Sequence, residues 1–239
     1  MKHMTINVKR ERKIEVMEGA AETTFWNIYA TVYDAIWRGA AGTRRIDALV
    51  VSSADAATPT VCIDLGCGTG LSAMPLRGLG WTVIGADRSE AMLKRAIHNG
   101  RLDYTIRADA TAVPLPNGCA RLVLLVNILQ VCPEPESVIR EAMRLRTNDG
   151  TIIAVWPDDT ATLTDVWRDD MREGRGPLGS CAAALGRLAI GLAGFPLRMR
   201  THTGRQIADA LRSAARHEAL DCDIARLGPL SDTCVIGPA

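Results

Sequence analysis

The feature that most constrains the fold is a short apolar run that ends in alternating glycines. Residues 60–65 are mostly β-branched or apolar and predict a buried strand, because such side chains pack well on a pleated surface. Glycine follows at positions 66, 68 and 70. Glycine accepts a positive φ and has no Cβ, so this spacing predicts a sharp turn whose backbone lies against a ligand. Apolar residues over 71–79 then predict a helix, which completes a strand–loop–helix unit.

Strands and helices alternate further along the chain. The other predicted strands are 81–86, 104–108, 122–126, 151–156, 222–227 and 233–236, and the predicted helices between them are 89–98, 136–146 and 204–217. The run 122–126 is apolar throughout, as in a central parallel strand that is covered on both faces. Alternation of this kind predicts βαβ units and a parallel sheet.

Two segments lack strands altogether. In the first, residues 1–57, apolar side chains from Ile14 and Met17 to Ile36 recur at spacings of three and four, the period of a helix. In the second, residues 158–202, helical fragments are interrupted by glycines. We therefore expect an N-terminal helical segment (1–57) and an α/β domain (58–239) that contains a helical insertion at 158–202.

The glycine spacing and the composition exclude several functions. A dinucleotide fingerprint needs its third glycine at position 71, where this chain has Leu, and no GKS or GKT follows for a P-loop. The formal net charge is +1 and aromatic residues make up 4% of the chain. A nucleic-acid partner is not expected, since neither a net positive field nor abundant stacking side chains are present.

A nearly uncharged stretch over 178–197 has about the length of a membrane span. Arg187 near its middle, several glycines and Pro196 favour a buried or substrate-covering helix instead, with contact to a membrane surface left open.

The seven cysteines form no CxxC pair and no zinc-type cluster. They are expected to stay reduced, which favours a cytoplasmic location.

The chain resembles the class I S-adenosylmethionine-dependent methyltransferases. The resemblance lies in CIDLGCGTG at 62–70, in the acidic Asp87 after the second strand, in SEAML at 89–93, in Asp109-Ala110 after the third strand and in PLP at 114–116. It implies a Rossmann-like three-layer α/β sandwich with a mostly parallel seven-stranded sheet and an antiparallel last strand. The chain departs from the family pattern at Arg121, because the family usually has an acidic residue just before the fourth strand.

The resemblance implies S-adenosyl-L-methionine as cofactor, with Asp87 on the ribose hydroxyls, Met92 near the adenine and Asp109-Ala110 at the adenine amino group. Tyr29 or Tyr33, one helical turn apart, would reach the cofactor's carboxylate, with packing onto the core as the alternative. The expected cofactor-binding residues are Tyr29, Tyr33, Asp64, Gly66, Cys67, Gly68, Asp87, Arg88, Met92, Asp109, Ala110 and Asn127.

The motifs that this chain lacks indicate the chemical class of the methyl acceptor. The fourth strand ends in Asn127-Ile128-Leu129-Gln130, without the NPPY or DPPY of nucleic-acid amino-methyltransferases and without the paired glutamates of arginine methyltransferases. Elimination leaves a small molecule, and the small, weakly charged side chains of 158–202 indicate that it is partly apolar. By the resemblance, residues 1–57 form a lid and 158–202 a cap over it. The expected acceptor-binding residues are Asn127, Gln130 and Trp156.

The sulfonium carries its own charge, so transfer needs no metal, and a base only if the acceptor arrives protonated. His202 and Tyr33 are the candidate catalytic residues, with a structural role for His202 open. The expected function is methyl transfer to an O, N or C atom in small-molecule biosynthesis. Two alternatives stay open on this fold: a non-methylating enzyme that carries out a cyclisation or rearrangement, and a regulatory protein that binds the cofactor without turnover. The oligomeric state is not predicted.

Overall fold

The computed structural model describes residues 20–54, 60–194 and 202–238. Its helices are α1 (Ala20–Trp37), α2 (Ala41–Ser53), α3 (Met74–Gly78), α4 (Glu90–His98), α5 (Pro135–Leu145), α6 (Leu163–Arg172), α7 (Pro177–Gly194) and α8 (Gly204–His217). Its strands are β1 (Val61–Leu65), β2 (Thr82–Asp87), β3 (Tyr104–Arg107), β4 (Ala120–Val126), β5 (Arg146–Pro157), β6 (Asp221–Arg226) and β7 (Ser231–Gly237).

The seven strands form one sheet in the order β3-β2-β1-β4-β5-β7-β6. The pairs among β1 to β5 are parallel, whereas β7 runs antiparallel to both β5 and β6. The chain reverses its direction across the sheet beside β1, where β1 lies between β2 and β4. In open α/β sheets, ligands bind at the carboxyl ends of the strands near such a switch point. The predicted fold class is confirmed.

The core lies on both faces of the sheet, as the apolar runs of the central strands require. Ile63, Val123 and Ile152 pack in the cluster beneath α5 and α8, while Cys62 and Leu124 pack on the other face with α2, α3 and α4. Each of these residues is fully buried. The central strands are therefore covered on both sides, and only their ends are accessible to a ligand.

Local sequence signals fix several helix ends. Ser89 accepts a hydrogen bond from the Met92 amide and caps α4, as its position before an acidic first turn predicts. Thr203 and Gln206 form the predicted capping box of α8. Helix α3 is shorter than the predicted 71–79, because Pro75 lacks an amide and suits only the first turn of a helix. Strand β5 begins earlier than the predicted residue 151.

The predicted lid and cap are helical where they are described. The lid segment contains α1 and α2, the cap segment contains α6 and α7, and the expected helical positions Ile14 and Met17 lie outside the described residues. Helices α1 and α7 pack closely, since a Cβ on Gly186 would come within 2.4 Å of the Ile36 side chain. In the described part of the chain, no helix combines the length and apolar character that crossing a bilayer requires.

Candidate functional site

A cavity of about 1030 Å³ opens at the carboxyl ends of the parallel strands. Its floor consists of the loops that follow β1, β2, β3 and β4, and its roof consists of α1, the start of α2, and the cap helices α6 and α7. Ligand-binding cavities commonly measure about 300–1,000 Å³, so this one can hold more than a single small molecule. The predicted lid and cap thus enclose the same space as the glycine-rich loop.

The glycine-rich loop has the conformation that its spacing predicts. Gly66, Gly68 and Gly70 have φ values of +69°, +52° and +76°, a region that residues with a Cβ adopt at a cost. The space beside Gly68 is open toward the cavity, because a Cβ there would have the Met92 sulfur, 4.0 Å away, as its nearest neighbour. Both features allow a ligand to lie directly against the backbone of Gly68.

Asp87 ends β2 beside this loop and lines the cavity. One carboxylate oxygen accepts a hydrogen bond from the Gly68 amide at 2.8 Å, and the other accepts one from the Ser89 amide at 2.7 Å. These two bonds fix the orientation of the carboxylate. A carboxylate has about four lone-pair sites, so it can also accept hydrogen bonds from two hydroxyl groups of a ligand.

Asp64 lies within β1 and is 1% exposed. Its Oδ2 atom is buried and has no hydrogen-bond partner among the described residues. Burial, with the charge of Asp87 as a smaller cause, raises the pKa of Asp64 to about 8. A buried carboxyl without a partner is costly, so it is found mainly where a ligand or a function requires it. Asp64 does not itself line the cavity.

Two tyrosines project from α1 into the cavity wall. Tyr29 and Tyr33 pack edge to face with their ring centroids 5.5 Å apart, as residues one helical turn apart can. The Tyr29 hydroxyl accepts a hydrogen bond from the Trp37 ring nitrogen at 2.7 Å, and burial raises the pKa of Tyr29 to about 12. Burial, together with Tyr29 and neighbouring carboxylates, also raises the pKa of Tyr33. Both phenols therefore stay protonated at neutral pH.

The loops after β2 and β3 supply the side of the cavity expected to hold the adenine. Met92 is 3% exposed and lines the cavity together with Arg88, Asp109 and Ala110. Asp109 accepts hydrogen bonds from the amide and the hydroxyl of Thr111, at 2.9 and 2.8 Å. The Arg88 Nε atom lies 3.9 Å from an Asp109 oxygen. The structure therefore brings these four predicted residues together with Gly68 and Asp87.

Asn127, directly after β4, has a positive φ of 55°. Asn is one of the few residues that tolerate this region, and such positions concentrate at functional sites. Gln130 donates a hydrogen bond to the Asn127 carbonyl at 2.9 Å, while its own side-chain oxygen is buried without a partner among the described residues. Both residues line the cavity, at the turn where the glycine loop faces the cap.

His202 lines the cavity between the cap and α8. Its Nε2 atom lies 3.1 Å from the Cys132 carbonyl, and its amide donates to the Gln130 carbonyl at 3.1 Å. Nε2 therefore carries the proton and donates it to the carbonyl oxygen. These bonds attach His202 to the loop after β4, which favours a structural role over that of a general base acting through Nε2.

Three predicted site residues do not line the cavity: Asp64, described above, Trp156 and Cys67. Trp156 is 1% exposed and packs in the core, with its ring against Gly204 of α8, so its assignment to the acceptor site was wrong. Strand alternation directs it to the face under α8, whereas Pro157 reaches the cavity. The Cys67 sulfur packs against Gly85 of β2, and the Cys67 amide donates to the Ala86 carbonyl at 3.1 Å.

Sequence reasoning missed two groups of residues. The first is the apolar roof, where Val166 and Ala183 of the cap and Leu230 form a buried cluster at the cavity wall. The second is Asp34, next to Tyr33, whose carboxylate bonds to Thr69 of the glycine loop and to Arg101. No sequence signal links Asp34 to a residue 67 positions away, although its place beside the cavity-facing Tyr33 marked the region.

A comparison with family models matches one segment of the chain. Residues 63–154 match the model of a family described as a methyltransferase domain. That segment runs from β1 to β5 and includes every loop of the cavity floor. No curated protein sequence matches the chain.

Solved structures share the fold at low sequence identity. One is an S-adenosylmethionine-dependent methyltransferase from Aquifex aeolicus, with a TM-score of 0.57 and 11% identity over 91% of this chain and 98% of that one. A DhpI complex with S-adenosylhomocysteine has a TM-score of 0.61 and 16% identity, over 92% and 96%. The geranyl diphosphate C-methyltransferase of Streptomyces coelicolor, solved with S-adenosylhomocysteine, has a TM-score of 0.55 and 11% identity, over 81% and 75%.

Proposed function

We propose that this chain, a class I S-adenosylmethionine-dependent methyltransferase by its matched domain and its fold, methylates an O, N or C atom of a small, partly apolar acceptor. The observation that carries the proposal is one continuous cavity, walled by the glycine-rich loop on one side and by the helical cap on the other. A reaction between two bound molecules needs such a shared, enclosed space. An enzyme of this kind would serve small-molecule biosynthesis in the cytoplasm.

The residues of the cavity floor fit S-adenosylmethionine. The open space at Gly68 accommodates a ligand against the backbone, and Asp87 presents a fixed carboxylate suited to two ribose hydroxyls. The unpartnered oxygen of Asp64 lies just behind this loop, where the positive charge of a bound cofactor would stabilise its ionised form. We assign Met92, Asp109 and the Ala110 backbone to the adenine side.

S-Adenosylmethionine supplies an electrophilic methyl group on a positively charged sulfonium. The chain's own contribution is to bring the acceptor into line and to exclude water, and orientation of this kind can lower a barrier by about 7–11 kcal/mol. Tyr33 would act as a hydrogen-bond donor, because its raised pKa keeps the hydroxyl protonated. We assign His202 to holding the loop after β4, so Asn127 and Gln130 face the acceptor from a fixed turn.

The cap side of the cavity supports a partly apolar acceptor. Val166 and Ala183 from the cap, and Trp26 and Trp37 from α1, offer apolar surface to the space opposite the glycine loop. Apolar walls with a few polar groups are typical of sites for small molecules.

The charges of the wall favour a neutral or cationic acceptor over an anionic one. Among the described lining residues, Arg88 at the adenine side is the single arginine or lysine. Near the cap, the acidic lining residues are Glu134, Asp158, Asp159 and Asp170. Some of these carboxylates are already paired, as Asp158 is with Arg226, but the balance still opposes a second negative charge in the cavity.

The experiment that tests this proposal is an acceptor screen read by mass. Purified protein is incubated with S-adenosylmethionine and pools of small amines, phenols and isoprenoid-like alcohols, with acidic analogues of each as matched controls. We expect a product heavier by one CH2 group from a neutral or basic pool, together with S-adenosylhomocysteine. Turnover restricted to the acidic analogues would contradict the charge argument. Consumption of the cofactor with no methylated product would contradict methyl transfer.

A further inference from the structure

The carboxylate of Asp34 joins three separate parts of the molecule. It lies near the carboxyl end of α1 and accepts a hydrogen bond from the Thr69 hydroxyl at 2.7 Å. Arg101 donates to both carboxylate oxygens, at 2.9 and 2.8 Å, and the Asn99 amide donates at 3.0 Å. Thr69 belongs to the glycine loop, and the other two donors belong to the turn between α4 and β3.

This cluster is largely shielded from water. The side chain of Arg101 is 4% exposed, that of Asp34 is 20% exposed, and Thr69 is fully buried. Arg101 also donates to the carbonyl and to the hydroxyl of Thr69, both at 3.0 Å. Although burial opposes ionisation, the hydrogen bonds from Arg101 and Thr69 hold the pKa of Asp34 below its usual value. A two-oxygen arginine–carboxylate pair of this kind is strong and directional.

The position of the cluster connects it to ligand binding. Asp34 follows Tyr33, which lines the cavity, and Thr69 follows Gly68, whose backbone lies open to the cavity. A change in the Asp34–Thr69 bond therefore shifts the roof and the floor of the cavity relative to each other. The cluster itself does not line the cavity, so it would act through its neighbours.

We propose that Asp34, Thr69 and Arg101 form a latch that holds helix α1 closed over the glycine loop and so sets how long the cofactor stays bound. The three are positioning residues, since none touches the cavity. The inference rests on the proposed function only in naming the ligand retained. Opening the latch frees α1 from the glycine loop, while α1 keeps its contacts with α7 of the cap through Ile36 and Gly186.

The test compares matched variants of the full chain. Thr69→Val removes the hydroxyl with little change of shape, and Thr69→Ser keeps the hydroxyl. Asp34→Asn removes the charge and keeps one acceptor. Arg212→Met is the control, because Arg212 pairs with Asp209 on the exposed face of α8, away from α1, the turn before β3 and the cavity. Two quantities are measured: amide hydrogen exchange of residues 26–37 in the protein without ligand, and the dissociation rate of S-adenosylhomocysteine.

We expect Thr69→Val and Asp34→Asn to accelerate exchange in α1 and to raise the dissociation rate about tenfold, the size of effect expected when a charge-assisted hydrogen bond is lost. Thr69→Ser and Arg212→Met should match the wild type in both quantities. The latch is overturned if Thr69→Val lowers only the melting temperature and leaves α1 exchange and the dissociation rate unchanged. If the wild type does not bind S-adenosylhomocysteine, the proposed function fails, and the exchange data still decide the latch.

Discussion

The floor and the roof of the cavity are built in different ways. In the floor, loops leave the ends of parallel strands, and their bonds join residues that are close in the sequence or on adjacent strands, such as Asp87 with Ser89 and Gly68. In the roof, α1 and α2 are joined to the cap by bonds across more than a hundred residues. Arg45 pairs with Asp169, and Arg175 with the carbonyls of Ala35 and Ile36.

This difference indicates that the two regions have separate roles. The floor takes its geometry from the sheet, so a cofactor site can persist while the roof changes. The roof depends on a small number of buried polar links, including Asp170, which accepts a hydrogen bond from the Ala41 amide at the start of α2 and pairs with Arg175. We therefore expect floor variants to affect the cofactor and cap variants to affect the acceptor, and the following variants test this expectation.

The largest effect is expected at Gly68. The protein itself has space for the side chain that Gly68→Val introduces. That side chain would occupy the space of a cofactor lying against the backbone, so affinity for S-adenosylhomocysteine should fall about 100-fold or more. The melting temperature should fall only modestly, through the strain of φ at +52°. Gly66→Val is the matched control, because its Cβ would lie 2.3 Å from Ile128 and should destabilise the fold itself. Normal binding by Gly68→Val would remove this loop from the site.

The next effect is expected at Asp87. Asp87→Ala should weaken binding of S-adenosylhomocysteine by about 2–3 kcal/mol, or about 30- to 150-fold, because two charge-assisted hydrogen bonds are lost. Titration calorimetry measures the change. Asp103→Ala is the control, since Asp103 also accepts a backbone amide, that of Val83 at 2.8 Å, but does not line the cavity. Equal losses of affinity in the two variants would mean that Asp87 only stabilises the sheet.

A smaller effect, of a different kind, is expected at Arg175. Arg175→Lys keeps the charge beside Asp170 and loses the paired bonds to the α1 carbonyls. Once an acceptor is identified, its KM should rise about three- to tenfold, which corresponds to about 1 kcal/mol of lost positioning, while cofactor affinity changes less than twofold. Arg212→Lys, on the exposed face of α8, is the control. A change confined to cofactor affinity would contradict the assigned role of the roof.

The smallest effect concerns Asp64 and pH. Its pKa is about 8 in the folded protein and about 4 in the unfolded chain, so the folded state binds the proton more tightly. The stabilisation is complete below about pH 4 and is lost as pH rises toward 8. Between pH 6 and 8 the melting temperature of the wild type should therefore fall more steeply than that of Asp64→Asn, by about 2–4 °C per pH unit. Parallel curves would show that Asp64 is ionised already at pH 6.

The sequence predicts the floor far better than the roof. Three signals are local, and each determines the conformation of its own segment: the glycine spacing, the acidic end of β2 and the N-cap of helix α4 at Ser89. The bonds of Arg175 to α1 and of Asp34 to Arg101 leave no such signal, because they depend on how distant segments fold against the sheet. Trp156 shows the same limit, since its strand was predicted but its face was not.

The central claim is that the floor, with α1 held over it, binds the cofactor without the cap. Its most direct test is a calorimetric titration of S-adenosylhomocysteine into a variant in which residues 162–201 are replaced by a short Gly/Ser linker, with Asp87→Ala and the wild type alongside. The account predicts that the cap-replaced protein binds within about threefold of the wild type, because α1 stays attached through Asp34 and Thr69, and that Asp87→Ala binds about 30-fold more weakly or worse. Loss of binding on cap replacement, with unchanged affinity in Asp87→Ala, would contradict it.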